Sequence, residues 1–277
     1  MKYIKNILLV STILMVCVTA TTRAQSINWK KVNVLIYTKN GKGYVHENIP
    51  FAVAGLQKMA KQYGFTTESS DDPSKFTNEN LKNYSLIIFC NTNNDVFDND
   101  AQRLAMRQYM EAGGGVVGIH CVIGTERNWD WFKMMIGGSF VWHPTFQKYK
   151  VAVMDSQHPS VEGIPTVWER EDECYFLKEM YPGIRPLMAQ DLSSLDPKDK
   201  EKIAGLKGPY DKYYPATWYQ HFDGGNVWVT ALGHDKANYD EKIYMQLLYN
   251  GIKFVASQSG KLDYTRAYAK TYNEELK

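Results

Sequence analysis

The chain has 277 residues, with 32 basic and 30 acidic side chains, so its formal net charge is only +2. This near balance, with no basic run and no acidic tail, argues against nucleic acid as a partner. A chain of this length is long enough to bury one large core.

Residues 1–24 are predicted to be a secretory signal peptide. A short positively charged start precedes an apolar stretch at 7–20, and small residues before Gln25 offer a cleavage site after Ala24. A lipoprotein alternative would use Cys17, but the bulky valine before it disfavours that processing. No later segment is long and apolar enough to cross a bilayer. We therefore expect a periplasmic or secreted protein, with no membrane insertion of the mature form.

Three cysteines remain after cleavage, namely Cys90, Cys121 and Cys174. Their odd number and wide spacing argue against a disulfide framework, although the chain is predicted to be exported. No CxxC pair is present, so the sequence does not indicate a zinc site built from thiolates.

The first half of the mature chain alternates short apolar runs with helical patterns. The first predicted helix, 48–63, would be capped by Asn48 and ended by Gly64. The second, 98–112, would be capped by Asp98. The predicted strands are 32–37, 65–68, 86–90 and 116–119. Strands that alternate with helices at this spacing indicate an α/β fold with a doubly wound, mostly parallel sheet.

The second half is richer in strand patterns. The strand-like runs are 149–154, 168–177, 185–189, 217–222 and 226–232. The Asp-Gly-Gly turn at 223–225 predicts a hairpin between the last two. Charged residues at 193–208 predict a surface excursion, and the apolar spacing over 239–255 predicts a closing helix. We interpret 25–257 as one domain with β-rich insertions, followed by a polar, loosely held tail at 258–277.

The segment 113–121 carries the strongest indication of chemistry. Three glycines end the predicted helix, and a short apolar strand follows that stops at His120 and Cys121. Ligands bind at the carboxyl ends of strands in open α/β sheets, and a sharp turn there can present one reactive side chain. A cysteine nucleophile needs a lowered pKa and a neighbouring base, but adjacent residues on a turn usually point apart. His120 as a ligand or acid/base group therefore fits better than Cys121 as a nucleophile.

All six histidines lie at predicted strand ends, turns or loops, where binding groups concentrate. His46, His120 and His234 each follow a predicted strand. Because parallel strands end at the same edge of a sheet, we expect these three side chains to line one cleft. Asp235, next to His234, would fix the tautomer of that imidazole and raise its basicity. The alternative for each histidine is that it only fixes a turn.

The loop 137–144 is rich in glycine and aromatic residues. If this loop lies over the cleft, His143 would face the ligand and Trp142 would offer a flat surface to a sugar ring. The alternative is that the aromatic side chains belong to the core and that His143 caps a turn.

An acidic run ends at Glu173, within a strand-like segment. Alternation would point Glu171 and Glu173 to one side of the strand and Asp172 to the other. A carboxylate on the cleft side would serve as a general acid/base or a metal ligand, and a solvated strand face is the alternative.

A metal site is a further hypothesis. His46, His120 and His143, with or without a carboxylate, would be an acceptable ligand set for a divalent cation such as zinc. No HExxH motif or tight HxH spacing supports this set.

Several ordered motifs together resemble the ThuA-like (trehalose utilisation) family, over roughly residues 32–256. They are the strand and loop with His46, the Gly-Gly-Gly-Val-Val-Gly-Ile-His run ending at His120, Gly-Gly-Ser-Phe with His143-Pro144, His158-Pro159 with Gly-Ile-Pro at 163–165, Asp-Glu-Cys-Tyr at 172–175, and Thr-Ala-Leu-Gly-His-Asp at 230–235. The resemblance implies a flavodoxin-like sheet of the class I glutamine amidotransferase type. It also implies a role in sugar metabolism, beside oxidoreductases that handle 3-keto-sugars.

Glutamine amidotransferases of this type carry their cysteine in a Gly-x-Cys-x-Gly pattern at the elbow. In this chain His120 stands at that place, and Cys121 comes one residue later. The resemblance therefore does not extend to thiol-dependent glutaminase activity. A cysteine-dependent amidohydrolase remains only as a minor alternative.

We interpret the chain as an exported carbohydrate-processing protein, a hydrolase or related enzyme acting on a glycoside or a 3-keto-sugar derivative. The predicted catalytic residues are His120, His234 and Glu173, and the predicted substrate-binding residues are His46, Trp142, His143 and Asp235. The expected partner is a small sugar or glycoside. The sequence is also compatible with a homo-oligomer. The alternative is a non-catalytic sugar-binding or accessory module, because a fold alone does not determine activity.

Overall fold

A computed structural model describes residues 27–277, and the predicted signal peptide at 1–24 lies outside this range. Within the described part, none of the helices combines the length and the apolar character needed to cross a membrane. The strands are β1 (Asn33–Tyr37), β2 (Thr66–Ser70), β3 (Leu86–Cys90), β4 (Gly115–Ile119), β5 (Ser139–Trp142), β6 (Gln147–Val153), β7 (Val167–Asp172), β8 (Phe176–Lys178), β9 (Arg185–Asp191), β10 (Tyr213–Phe222) and β11 (Gly225–Thr230). The helices are α1 (Ile49–Tyr63), α2 (Asn78–Leu81), α3 (Asp100–Glu111), α4 (Asp130–Ile136), α5 (Lys200–Leu206) and α6 (Lys242–Gln258).

The apolar strands of the first half lie together in one parallel block. The order is β2-β1-β3-β4-β11, and each neighbouring pair is parallel. All residues of β3, β4 and β11 are buried, as expected for strands covered on both faces. The predicted α/β class and the flavodoxin-like parallel sheet are confirmed.

Helices cover both faces of this block. Gly225 and Trp228 lie on opposite faces of β11, because side chains alternate along a strand. A Cβ at Gly225 would meet Met110 of α3, whereas the ring of Trp228 lies against Gly251 of α6. The sheet is therefore the middle layer of a three-layer structure.

The second half extends the sheet with antiparallel strands in the order β11-β10-β9-β6-β7. The predicted hairpin joins β10 to β11, and its two-residue turn has positive φ at Asp223 (46°) and Gly224 (89°), as a type I′ turn requires. The single strand-like run predicted at 168–177 is instead two strands. Its second part, β8, pairs with β5 in a separate two-stranded sheet.

Two predicted details are wrong. Asn99, rather than Asp98, caps α3, with its Oδ1 accepting from the backbone N–H of Gln102 at 3.1 Å. The tail is not loosely held either. Glu111 on α3 accepts hydrogen bonds from the backbone N–H groups of Tyr268 and Ala269, at 2.8 and 3.1 Å. The tail is docked because it supplies partners to a buried charged residue, which would be costly to leave unpaired.

Candidate active site

The carboxyl ends of β1, β3, β4 and β11 lie at one edge of the sheet, since these strands are mutually parallel. His46 lies in the loop after β1, His120 follows β4 directly, and His234 follows β11. Their rings are close together. The centroid of His46 is 4.9 Å from that of His120 and 5.3 Å from that of His234, and the last two are 5.4 Å apart. The expectation that these three histidines line one site agrees with the geometry.

His120 occupies a strained turn at the end of β4. Its φ is +49°, a left-handed conformation that non-glycine residues rarely adopt, and its side chain is fully buried. Nδ1 lies 2.9 Å from the carbonyl oxygen of Ala231, and Nε2 lies 3.0 Å from the hydroxyl of Tyr175. A carbonyl can only accept, so Nδ1 carries the proton and the lone pair of Nε2 accepts from the hydroxyl of Tyr175.

His46 is held beside His120 with only 5% of its surface exposed. Its Nδ1 atom is buried and makes no hydrogen bond to any described residue. Buried polar atoms are usually paired, so this nitrogen is an exception that needs an explanation.

Glu173 lies at the centre of the cluster and contacts three histidines. Its Oε2 is 3.0 Å from Nδ1 of His234 and 3.7 Å from Nε2 of His120. Its other oxygen, Oε1, is 3.4 Å from Nε2 of His143. Nδ1 of His143 donates to the carbonyl of Pro144 at 2.8 Å, which leaves Nε2 facing the carboxylate. One carboxylate therefore contacts three of the four histidines, and the fourth, His46, packs against His120 and His234.

Electrostatics separates the imidazoles into two kinds. Burial lowers the pKa of His46 to about 4, and the neighbouring His234 adds to this effect. Burial and the nearby His46 hold the pKa of His120 well below its usual value. For His234, burial lowers the pKa, but Glu173 outweighs it and the net pKa is raised. At neutral pH, His46 and His120 are thus uncharged electron-pair donors.

The pKa of Glu173 reflects the same contacts. Burial raises this pKa, but the hydrogen bond to His234 and the charge of His143 outweigh burial, so that the net pKa lies below the usual value. Glu173 is therefore ionised at neutral pH. It carries negative charge in a buried setting and can stabilise a cation or a protonated imidazole beside it.

Asp172 fixes the backbone on which two members of the cluster sit. Its Oδ1 accepts from the N–H groups of Glu173 and His234, at 2.9 and 3.0 Å. Its Oδ2 accepts from the N–H of Gly233 at 2.8 Å and from Nη2 of Arg170 at 2.6 Å. The sheet must curl for this to happen, because Asp172 ends the edge strand β7 while Gly233 follows the central strand β11.

Asn48 has a similar positioning effect on the opposite side. Sequence predicted that its side chain caps α1, but the side chain makes no capping hydrogen bond. Instead Nδ2 donates to the carbonyls of Gly233 and His234, at 2.9 and 2.7 Å. This clamp ties the loop of His46 to the loop of His234.

Residues 33–255 match the family model for ThuA, described as trehalose utilisation. The chain belongs to the ThuA family. A ThuA-like protein from Bacteroides uniformis has a similar structure, with a TM-score of 0.66 and 23% identity over 86% of this chain and 97% of its own. A ThuA-like protein from Parabacteroides merdae is also similar, with a TM-score of 0.61 and 19% identity over 89% of this chain and 100% of its own. No curated protein matches the chain.

Membership of the ThuA family associates the chain with carbohydrate utilisation of the trehalose kind. The two structural likenesses are below 25% identity and show a shared fold. What this ThuA-family chain does with a sugar therefore has to be argued from its own residues.

The residues whose donor atoms lie together differ from the predicted set of metal ligands. One ligand atom from each of His46, His120, Glu173 and His234 lies within 4.8 Å of the other three. His143 was predicted as the third ligand, but it contacts the outer oxygen of Glu173 instead. Loop 137–144 approaches from beyond the carboxylate, so His143 is separated from the other imidazoles by Glu173.

Of two further predicted substrate contacts, Trp142 is not brought to the cluster, whereas Asp235 lies beside it. Trp142 packs against Phe176, and the ammonium group of Lys202 lies 4.1 Å from the centre of its ring, so the ring face is already used. Asp235 lines the cleft, but its Oδ1 caps a turn by accepting from the N–H of Ala237 at 2.7 Å. The carboxylate that contacts the His234 ring is Glu173, not Asp235.

Other aromatic side chains flank the cluster. Tyr44 is 60% exposed, and its ring meets that of His46 edge-on at 4.8 Å. Phe146 is 39% exposed, and its ring lies 5.8 Å from that of His234. Beside Tyr44 a cleft of about 210 Å³ opens, lined in part by His46 and His234. Another cavity, of about 570 Å³, lies at the amino ends of β1 and β3, but no histidine or carboxylate lines it.

Sequence reasoning missed several residues that organise the site. Asp172 was assigned to the face opposite Glu173, but strand β7 ends at Asp172, so alternation no longer applies and both side chains are buried at the site. Asn48 is uncharged and outside the motifs, and Tyr175 ends the Asp-Glu-Cys-Tyr motif without having been given a role. Nearness in the chain to a candidate residue was the available signal, to His46 for Asn48 and to Glu173 for Asp172 and Tyr175.

Proposed function

We propose that this chain is an exported carbohydrate-processing enzyme whose active site is the cluster around Glu173, and that a 3-keto-glycoside is its substrate class. The carrying observation is one ionised carboxylate in contact with three imidazoles at the ligand-binding edge of the sheet. Such a set can both move protons and stabilise charge on an oxygen atom. The cell compartment follows from the predicted signal peptide.

The acids of the cluster disfavour ordinary glycoside hydrolysis. That reaction usually uses two carboxyl groups on opposite sides of the scissile bond. Here Asp172 is buried and already accepts four hydrogen bonds, and it lies next to Glu173 in the chain. Asp235 is used as a cap. Glu173 is left as the buried carboxylate that is available to a substrate.

A 3-keto-glycoside needs no second carboxylate. The ketone makes the hydrogen on C2 acidic, because the resulting carbanion is stabilised as an enolate. A base removes this proton, the electron pair forms a C1–C2 double bond as the C1–O bond breaks, and the departing oxygen takes a proton from an acid. Addition of water at C1, with a proton returned to C2, completes net hydrolysis.

The two carboxylate oxygens of Glu173 face different groups, and we assign a different part of the reaction to each side. His143 is about one-third exposed and lies against Oε1, so in this proposal the pair exchanges a proton with the bound sugar. On the Oε2 side, His46, His120 and His234 converge where they would face the oxygen atoms of the sugar. Tyr44 and Phe146 then offer aromatic surfaces to a sugar ring.

The test compares disaccharides with their 3-keto derivatives as substrates for the purified mature chain. We expect cleavage of the keto derivatives, with deuterium from D₂O appearing at C2. His143→Ala should lower kcat about 10²-fold with little change in substrate affinity. His221→Ala, an exposed histidine on β10, is the matched control. Cleavage of unoxidised glycosides only, or no loss in the His143 variant, would contradict the proposal.

A non-catalytic sugar-binding module is the second candidate. The exposed aromatic rings of Tyr44 and Phe146 favour it. It makes a different prediction. A sugar would bind to the wild type and to His143→Ala with similar affinity, and neither protein would release product or exchange a C2 proton.

Cys121 is not expected to take part. Burial raises the pKa of its thiol to about 12, which removes the thiolate that a nucleophile requires. We expect Cys121→Ser to keep wild-type turnover while lowering the free energy of unfolding by about 1–3 kcal/mol, because a hydroxyl is buried in place of a thiol. Turnover assays and thermal melts measure the two effects. A folded but inactive serine variant would contradict this expectation and support a mechanism that uses the thiol.

A further inference from the structure

We infer that His46, His120, His234 and Glu173 bind one divalent cation of the zinc class. The inference rests on the proposed function for the use of this cation, although the site itself can be tested without any sugar. The donor atoms of these four residues lie within 4.8 Å of one another. A tetrahedral zinc ion with ligands at about 2.0–2.1 Å separates them by roughly 3.4 Å. Side-chain rotations that bring the atoms up to about 1.4 Å closer would complete the site.

The rings do not stack on one another. The three imidazoles meet at interplanar angles of 66° to 89°, with centroids 4.9 to 5.4 Å apart. Their convergence is shown by the donor atoms themselves, since one from each ring lies within 4.8 Å of the others.

A buried nitrogen in this cluster lacks a partner. Nδ1 of His46 makes no hydrogen bond to any described residue, although the side chain is almost fully buried. An unsatisfied buried polar atom costs free energy, and a bound cation would remove that cost. A structural histidine that only fixed its loop would have both nitrogens paired or exposed.

The surroundings resemble those that orient metal ligands. Nδ1–H of His120 donates to the carbonyl of Ala231, which sets the tautomer, and a cation at Nε2 would replace the contact of that nitrogen with the hydroxyl of Tyr175. Asp172 holds the backbone of both Glu173 and His234. These contacts position three of the four ligands before any cation arrives.

The chemistry of the donors selects the kind of cation. Three imidazole nitrogens and one carboxylate oxygen suit zinc and similar first-row transition metals, whereas calcium and magnesium prefer sites made only of oxygen. His143 remains outside this set, because its Nε2 faces Oε1 while the other imidazoles face Oε2. With all four positions taken by protein ligands, the cation would polarise a sugar carbonyl oxygen only by accepting it as a fifth ligand, and His143 would stay free to move a proton.

The experiment measures metal binding by the chelator-treated mature chain, using Zn²⁺ in calorimetry and Co²⁺ in absorption spectroscopy. We expect one Zn²⁺ per chain and the intense visible bands of four-coordinate Co²⁺. His46→Ala and His234→Ala should each weaken Zn²⁺ binding more than about a hundredfold, beyond the loss typical of a residue that only supports a ligand. His143→Ala, in the same cluster, should bind Zn²⁺ like the wild type. Circular dichroism and thermal melts establish that each variant is folded.

The outcomes separate this inference from the proposed function. Absence of binding by the wild type, or an equal loss in His143→Ala, would overturn the assigned ligand set. Full turnover of a 3-keto-glycoside by the metal-free chain would refute the role of the cation in the reaction and leave the proposed function standing. Stoichiometric Zn²⁺ binding that depends on His46 and His234, without turnover of any sugar, would support the site and refute the proposed function.

Discussion

Glu173→Gln is expected to lower kcat about 10³–10⁴-fold, at the upper end of what one acid/base group contributes. The amide keeps the size of the side chain but loses the negative charge that contacts His120, His143 and His234. Steady-state kinetics on a 3-keto-glycoside measures the loss, and a binding assay shows whether the sugar is still held. Because the change is isosteric, the variant should remain folded.

Glu171→Gln is the matched control for this variant. It makes the same chemical change two residues earlier on β7, at an exposed position. We expect wild-type kinetics from it. Wild-type turnover by Glu173→Gln would show that the cluster is not the active site.

Asp172→Ala is expected to lower the free energy of unfolding by about 3–5 kcal/mol, the cost of leaving a buried charge without its partner. The aspartate is fully buried and accepts from Arg170 and from three backbone N–H groups. Removing it strands the buried guanidinium of Arg170, whose remaining contacts are with the faces of Trp168 and Tyr244. Urea unfolding of the wild type and the variant measures the difference.

A double-mutant cycle separates the effect of the Arg170–Asp172 ion pair from that of the backbone hydrogen bonds to Asp172. Arg170→Met with Asp172→Ala should recover part of the loss, because no unpaired charge is then buried. Glu169→Ala, exposed on the same strand, should have an effect within about 0.5 kcal/mol. If the double variant were no more stable than Asp172→Ala alone, the ion pair would not be the source of the loss.

Local sequence patterns were sufficient for the central part of the fold. The run 86–90 is apolar throughout and is a strand over the same residues, and the Asp-Gly-Gly turn forms the predicted hairpin. These features depend on neighbours in the chain, through hydrophobic burial and turn geometry. Because parallel strands end at one edge of a sheet, the sequence also led us to expect His46, His120 and His234 close together.

Contacts between distant segments were not readable in the same way. Trp142 has the aromatic ring that a sugar site needs, yet Lys202 covers it from a helix sixty residues later. Tyr44 has the exposed ring, although the sequence did not predict a role for it. The tail is polar, and it docks because α3 carries a buried acid that its backbone satisfies. In each case the deciding partner lies far away in the chain.

The sequence by itself determined the parallel block, the family resemblance and the histidines at its carboxyl edge, because periodicity and strand order are local or topological properties. Only the tertiary structure decided how those histidines are used. The curl of the sheet returns the end of β7 to the loop after β11, where Asp172 binds the backbone and Glu173 reaches three imidazoles. That curl arises from packing summed over many strands, and no single segment of the chain encodes it.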